Sequence, residues 1–365
     1  MITIGEICRS LEQMVPAALQ EGYDNSGLQT GTLDRSATGV LLSVDVNEEV
    51  VEEAAGLGFN LIITHHPLIF TPLKRVSDGC PVQRTVVSAI KNDVTIYTLH
   101  TNLDSIYGGV SFKMAEKLQM TGCEVLSPLP RKLVKLVTFV PHNDIERVSE
   151  ALFAAGAGHI GDYDSCSYQL SGEGTFRGGD NTNPHVGMRG ELHREPEIRF
   201  ETILPEYLAS AVVRALKEAH PYEEPAYDIY PLLNEWDRAG LGAVGMLPQE
   251  TTPEEFLKLL KETFGTPMLR YTTPAAKMIQ RVALCGGVGV SLLRAAISQG
   301  ADAFVTADIK YHQFAEAEGR VLLIDAGHWE TERYSMEIVD GLLKEKFPNF
   351  ARRFSGVRTN PVNYY

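Results

Sequence analysis

Cysteine is scarce: five residues in 365 (Cys8, Cys80, Cys123, Cys166 and Cys285), odd in number, far apart and without a CxxC pair. That excludes a disulfide framework and a cysteine-ligated zinc site, and fits free thiols in a reducing compartment. No stretch approaches the ~18 consecutive apolar residues of a membrane-spanning helix. The opening MITIGEICRSLEQMVP has no basic stretch followed by an uninterrupted apolar one, so no secretory signal is expected. Positive charge is in deficit, 33 Lys and Arg against 47 Asp and Glu, for a net charge of −14. Sequence-independent nucleic-acid binding needs cations that displace counterions from phosphates, so nucleic acid is an unfavourable partner. No low-complexity tract or short repeat stands out. A cytoplasmic protein that enters no membrane is expected.

What is present builds a core. Short apolar runs rich in β-branched residues recur at 39–46, 60–68, 95–100, 281–289, 303–309 and 321–328. Continuous runs of this kind suit strands buried on both faces. Helical patterns lie between them at 48–57, 81–92, 109–119, 253–264, 291–299 and 332–346. The alternation predicts an α/β architecture with a largely parallel sheet. The middle differs. Residues 131–234 read as strand, helix, strands, helix, strand, the order of a ferredoxin-like α+β unit. Residues 131–235 hold 10 basic and 17 acidic residues, half of the net charge of −14 in under a third of the chain. The expected organisation is therefore a split α/β domain, 1–130 and 235–365, interrupted by an insert at 131–234.

Three strand-like runs end in metal-ligand chemistry. Thr64-His65-His66-Pro67 places two imidazoles where a strand leaves the sheet, although a loop-exposed pair reads the same way. His100-Thr101-Asn102-Leu103-Asp104 puts a carboxylate four residues after an imidazole, on one face if helical, although Asn102 and Asp104 also suit a cap. His328 and Glu332 repeat that spacing; acids collect at helix N-termini, which explains the glutamates but not His328. In a parallel sheet these ends converge on one edge, where ligands bind open α/β folds. His65, His66, Asp104, His328 and Glu332, with His100 nearby, exceed what one tetrahedral ion needs. The expectation is two divalent ions, of Zn, Fe, Mn or Ni.

These segments resemble those of the Nif-three-like family, whose members carry the name GTP cyclohydrolase 1 type 2 homologue. Tyr23-Asp24-Asn25-Ser26-Gly27-Leu28-Gln29 resembles its N-terminal segment, with Tyr23 where Trp is usual, and the three segments above resemble its metal-site segments. The resemblance implies that His65, His66, Asp104, His328 and Glu332 bind two metal ions, with His100 beside the site. His220-Pro221-Tyr222-Glu223-Glu224-Pro225-Ala226-Tyr227-Asp228 marks the insert as the PII/CutA-like module of longer bacterial members, with Gly178 in place of a usual proline. It also implies a toroidal homohexamer whose inserts cap the ring. Family position brings Asp308, Lys310 and His312 toward the cavity, with His312 as proton donor or substrate contact, and suggests Asp24, Asn25 and Asp45 as cavity-facing. His220, Glu223 and Glu224 suggest a second metal site, but turn packing between prolines explains them better. Cys285-Gly286-Gly287-Val288-Gly289 could cradle a phosphate before the helix at 291–299, but a tight strand-to-helix turn suits it better, and it is not a Walker A loop, because no Gly-Lys-Ser/Thr follows.

Two functions remain open. One is a metal-dependent hydrolase acting on a nucleotide-like or cyclic amide substrate, or as a phosphoesterase, with His100 and His312 as proton carriers and Asp24, Asn25, Asp308 and Lys310 as substrate contacts. The other is a non-enzymatic protein that stores, delivers or senses a metal or cofactor.

Overall fold

The computed structural model describes residues 2–365. The first half carries α1 (Ile4–Met14), β1 (Gly27–Thr30), β2 (Val40–Ser43), α2 (Glu48–Gly56), β3 (Leu61–Thr64), α3 (Pro81–Lys91), β4 (Thr95–Thr98), α4 (Thr101–Ser105), α5 (Val110–Lys117) and β5 (Thr121–Pro130). The insert follows with β6 (Leu133–Pro141), α6 (Ile145–Ala154), β7 (Ser167–Arg177), β8 (Leu192–Pro205), α7 (Ala209–Ala219) and β9 (Tyr227–Pro231). The second half runs β10 (Glu235–Thr251), α8 (Pro253–Phe264), β11 (Arg270–Tyr271), β12 (Ile279–Leu284), α9 (Leu293–Ser298), β13 (Ala303–Thr306) and α10 (Tyr311–Ala315). It closes with β14 (Leu322–Asp325), α11 (His328–Glu332), α12 (Ser335–Lys346) and β15 (Arg352–Phe354).

Local chemistry sets the helix ends. Thr3 and Glu6 form a capping box on α1, and Thr252 and Glu255 form another on α8, where Pro253 fills the first helical position. Asn47 caps α2 through the Val50 N–H. Gly265 ends α8 at φ 65°, a left-handed position open to glycine.

The chain forms two compact units, one running up to Ser127 and resuming at Ala239–Tyr365, the other Pro128–Arg238. The boundaries fall inside the long strands β5 and β10, a few residues from 130/131 and 234/235. The first unit does not hold a single sheet. It has a five-stranded sheet, β1-β4-β3-β2-β15, and a six-stranded one, β11-β14-β13-β12-β10-β5. Each has a parallel centre, β4-β3-β2-β15 and β14-β13-β12, with an antiparallel neighbour at β1, β10 and β11. The sequence shows the parallel centres as continuous apolar runs; the antiparallel neighbours lack that signature.

Alternation builds the layers. Val40, Leu42, Leu61 and Ile63 point to one face of the first sheet, against Ile7, Leu11, Met336 and Val339 of α1 and α12. Leu41, Ile62 and Ile96 point to the other, against Val51, Ala54, Val86 and Ala89 of α2 and α3. The second sheet is packed likewise, with Phe256, Leu260 and Phe264 of α8 on one face and Leu293 and Ala296 of α9 on the other. Each fully buried Leu, Ile or Phe contributes about 1.5–3 kcal/mol by leaving water. The insert is an antiparallel sheet in the order β7-β8-β6-β9, its core formed by Val134, Leu136, Val140, Phe200 and Leu204 against Val148, Leu152, Val212 and Leu216.

Candidate metal centre

The strand ends meet as expected, but from two sheets. At the end of β3, Thr64 Oγ1 donates to the His66 carbonyl (2.8 Å) and lies 2.7 Å from Thr98 Oγ1 on β4. This pins the point where the chain leaves the sheet, and His65 and His66 follow. His100 precedes α4, so Asp104 stands one helical turn on; His328 opens α11 after Gly327 (φ 90°), so Glu332 does the same.

Each of the four histidines has its Nδ1 occupied. His65 Nδ1 donates to the Leu99 carbonyl (3.0 Å), His66 to Asp45 (2.7 Å), His100 to Asp24 (2.7 Å) and His328 to Asp308 (2.8 Å). The partners accept, so each ring keeps a proton on Nδ1 and turns Nε2 to the centre, where a bound metal ion would displace any proton that Nε2 carries. That is the arrangement by which outer carboxylates and carbonyls orient ligating imidazoles. The Nε2 atoms converge. Glu332 Oε2 lies 2.8 Å from His66 Nε2, 3.0 Å from His328 Nε2 and 3.7 Å from His65 Nε2, and Asp104 Oδ1 lies 3.8 Å from His65 Nε2. Two groups result, His65-His66-His100 and His66-His328-Glu332, with His66 in both and Asp104 against His65.

Two of these atoms, His65 Nε2 and Asp104 Oδ1, are buried with no hydrogen-bond partner, and Glu332 Oε2 beside them meets the imidazole nitrogens of His66 and His328. Buried polar atoms are almost always paired, and two orphans beside a carboxylate oxygen ringed by imidazole nitrogens fit a cation that pairs with all three. The donor set, imidazole and carboxylate, suits first-row divalent ions. Burial depresses His66, but hydrogen bonds to Asp45 and Glu332 outweigh it and hold the ring at about 10. His328 is held at about 9 against burial, by Glu332 and then Asp308. Burial pushes the Asp104 carboxyl up, to about 7. Burial opposes ionisation of Glu332 as well, yet the facing imidazoles, His65 first, hold it well below the usual carboxylate range. Gly287 makes room for this density: a Cβ there would lie 2.1 Å from Glu332 Oε1 and 3.3 Å from His328 Nε2, and its φ is 57°.

Two cavities flank the cluster. One of about 390 Å³ has His66, His100, Asp104, His328 and Glu332 at its base and Tyr23, Phe70, Leu241, Val288 and Leu292 as walls. Its described lining contains no Lys or Arg. The other, about 450 Å³, lies behind His66 and His328 and is lined by Asp45, Arg270, Asp308, Trp329, Asn360 and Tyr364 among others.

The remaining sequence candidates fall in different places. The Asp24 side chain is fully buried beneath His100, ionised well below its usual range against burial by hydrogen bonds from His100 and Thr101; it orients the ring and touches no cavity. Asn25 is exposed and donates to the Ile69 carbonyl (2.6 Å). Asp308 lines the second cavity and holds His328. Lys310 and His312 are exposed and line neither cavity. Ile309 is buried, with its N–H on Asp325 Oδ2 (3.0 Å), which directs the following segment to the surface. In the insert, His220 spends both nitrogens, Nε2 on the Phe139 carbonyl (3.0 Å) and Nδ1 on the Tyr222 N–H (3.1 Å), so it has no lone pair for a second metal. The roles of Glu330, Thr359 and Asn360 are not legible from neighbouring residues, because their partners are distant in the chain.

Residues 2–361 match the family model Duf34/NIF3 (NGG1p interacting factor 3). A Halalkalibacterium halodurans protein named GTP cyclohydrolase 1 type 2 homolog is 40% identical over 364 residues, covering 98% of each chain. A Bacillus subtilis protein of the same name is 39% identical over 326 residues, covering 89% of this chain and 87% of that one. Among solved structures, a Bacillus cereus protein related to NIF3 superposes with a TM-score of 0.88 at 37% identity, covering 100% of this chain and 99% of that one. On these matches, the chain belongs to the DUF34/NIF3 family.

Proposed function

We propose that the protein is a dinuclear metal-dependent hydrolase. The observation that carries this reading is the set of four histidines fixed through Nδ1 and gathered around the carboxylates of Asp104 and Glu332, with His65 Nε2 and Asp104 Oδ1 buried and unpaired. His65, His66, Asp104, His328 and Glu332 would hold the ions, with His100 at the edge. Bound there, two divalent ions would polarise a carbonyl or phosphoryl oxygen and activate water. The chain's own groups then divide the work. The Asp24–His100 pair sets up an oriented base able to take or give a proton at Nε2, in the manner of a carboxylate-backed histidine. Tyr23 and Phe70, ring centroids 6.4 Å apart, offer flat apolar surface at the wall, and Phe70 packs edge-on to His100.

The substrate class follows from that wall. The relatives' name suggests a nucleotide. A triphosphate would bring about four negative charges to a cavity whose only cations would be the two ions, already partly offset by Asp104 and Glu332, with Glu21 but no described Lys or Arg in the lining. An uncharged cyclic amide fits the surface better. The test is a turnover screen of Zn-, Mn-, Fe- and Ni-loaded protein against cyclic amides, nucleotides and phosphodiesters, with a His65→Ala control. Cyclic amide hydrolysis that the control loses supports the reading. Turnover of GTP alone overturns the substrate class. Silence across all metals overturns the enzyme in favour of metal storage, delivery or sensing.

Residues 131–234 are proposed as a PII/CutA-like insert in a split αβα metal-binding domain, supported by the β-α-β-β-α-β order. By the same resemblance the assembly is a toroidal homohexamer capped by inserts, which light scattering would check. Five free cysteines support a cytoplasmic location.

A further inference from the structure

The end of the chain grips both halves of the metal centre. β15 adds to the first sheet beside β2, with Phe354 opposite Leu42. The Gly356 N–H then donates to Glu53 (3.0 Å). Thr359 Oγ1 donates to Asp45 Oδ2 (2.9 Å), and the other oxygen of that carboxylate holds His66 Nδ1 (2.7 Å). The next residue, Asn360, donates from Nδ2 to Glu330 Oε1 (3.0 Å). Glu330 is buried on α11, between His328 and Glu332. Asn360 Oδ1 accepts the Val362 N–H (3.0 Å), which fixes its side chain.

Consecutive residues therefore hold one support on each side: the carboxylate behind His66, whose strand belongs to the first sheet, and the helix of His328 and Glu332, which follows the second. His66, His328 and Glu332 form one ligand group, with His66 Nε2 2.8 Å from Glu332 Oε2 and 3.2 Å from His328 Nε2. Ligands mounted on two sheets hold a common geometry only as well as the sheets hold theirs. A tail that bonds to both supports removes that freedom and forms the wall of the cavity behind His66 and His328.

We propose that Thr359 and Asn360 are positioning residues: a C-terminal clasp that sets His66 against His328 and Glu332 and so controls how long a divalent ion stays in that group. This rests on the metal-centre reading. The test is release of Zn(II) from the full-length, Zn-loaded protein into excess chromophoric chelator. Outer partners of metal ligands typically change affinity by about 10–100-fold, and the clasp acts one bond further out, so the Thr359→Val, Asn360→Ala double variant should speed one of two release phases about tenfold. The other phase should change less, because its group shares His66 but neither His328 nor Glu332, and Thr359→Ser should release like wild type. Wild-type rates in a folded double variant overturn the clasp, and so does equal acceleration of both phases. If the double variant does not fold, Thr359→Val against Thr359→Ser decides by the same criterion. A wild-type protein that takes up no Zn, Mn, Fe or Ni overturns the metal-centre reading instead.

Discussion

His65 in the split unit and His220 in the insert are both buried, at 0% and 6% exposure. In sequence they look alike, each close to a proline with carboxylates within reach. Their hydrogen bonds separate them. His220 donates from Nε2 and accepts at Nδ1, and burial lowers its pKa, so it is a neutral ring fully consumed by its surroundings. His65 spends only Nδ1 and leaves Nε2 unpaired before Asp104 and Glu332. Burial alone does not mark a ligand; a buried lone pair with nothing to accept does.

The largest effect should come from removing that lone pair or its carboxylate. His65→Ala and Glu332→Ala should each lose most of the bound metal by elemental analysis, with the oligomer retained. Unchanged metal content would remove the distinction between the two histidines.

Next is the space the cluster occupies. Gly287→Ala places a methyl 2.1 Å from Glu332 Oε1 and forces a left-handed backbone on alanine, which costs about 1–2 kcal/mol. It should weaken metal binding strongly and lower the melting temperature. Gly341→Ala is the matched control: nothing lies within 4 Å, and it sits within α12. It should leave metal content alone and stabilise by roughly 0.5–1 kcal/mol. Equal metal content in the two variants would show that crowding at Glu332 is immaterial.

A smaller effect belongs to the supports. Asp308→Asn keeps the shape but replaces an acceptor-only carboxylate on His328 Nδ1 with a neutral amide that can present its NH2 instead, so the ring's tautomer is held less firmly. Metal affinity measured by dye competition should fall about 10–100-fold. An unaltered affinity would mean that α11 alone orients His328.

This ordering also shows what sequence can and cannot carry. The ligand segments are legible because each couples an apolar run to a polar terminus within a few residues. The parallel strands and helices α2, α3 and α8 are legible for the same local reason. The capping box Thr3–Glu6 is an equally local signal for α1, a helix that the patterns read from the sequence left out. The division into two sheets is not legible, since it depends on which strands pair, and β15 pairs with β2 across some 300 residues. Lys310 and His312 follow a strand just as the ligands do, but Asp308 at φ 54° and the anchored Ile309 turn the chain outward. Thr359 and Asn360 look like tail, because Asp45 is 314 residues away and Glu330 is 30.

The smallest expected effect on metal is at His220, and there the comparison can be turned around. His220→Ala strips the Phe139 carbonyl and the Tyr222 N–H of their partners inside the insert. Each buried group left unsatisfied costs about 1–3 kcal/mol, so insert stability should fall by roughly 2–5 kcal/mol. Tyr222 also holds Glu197 through its hydroxyl (2.9 Å), so the loss reaches the wall of the insert's own cavity, which both residues line. Amide exchange around Tyr222 should accelerate while bound metal stays at the wild-type level. His65→Ala should give the opposite pattern, metal gone and insert exchange unchanged. If His220→Ala instead released metal, a histidine with both nitrogens engaged would be acting on the metal centre, and hydrogen-bond satisfaction would no longer separate the two rings.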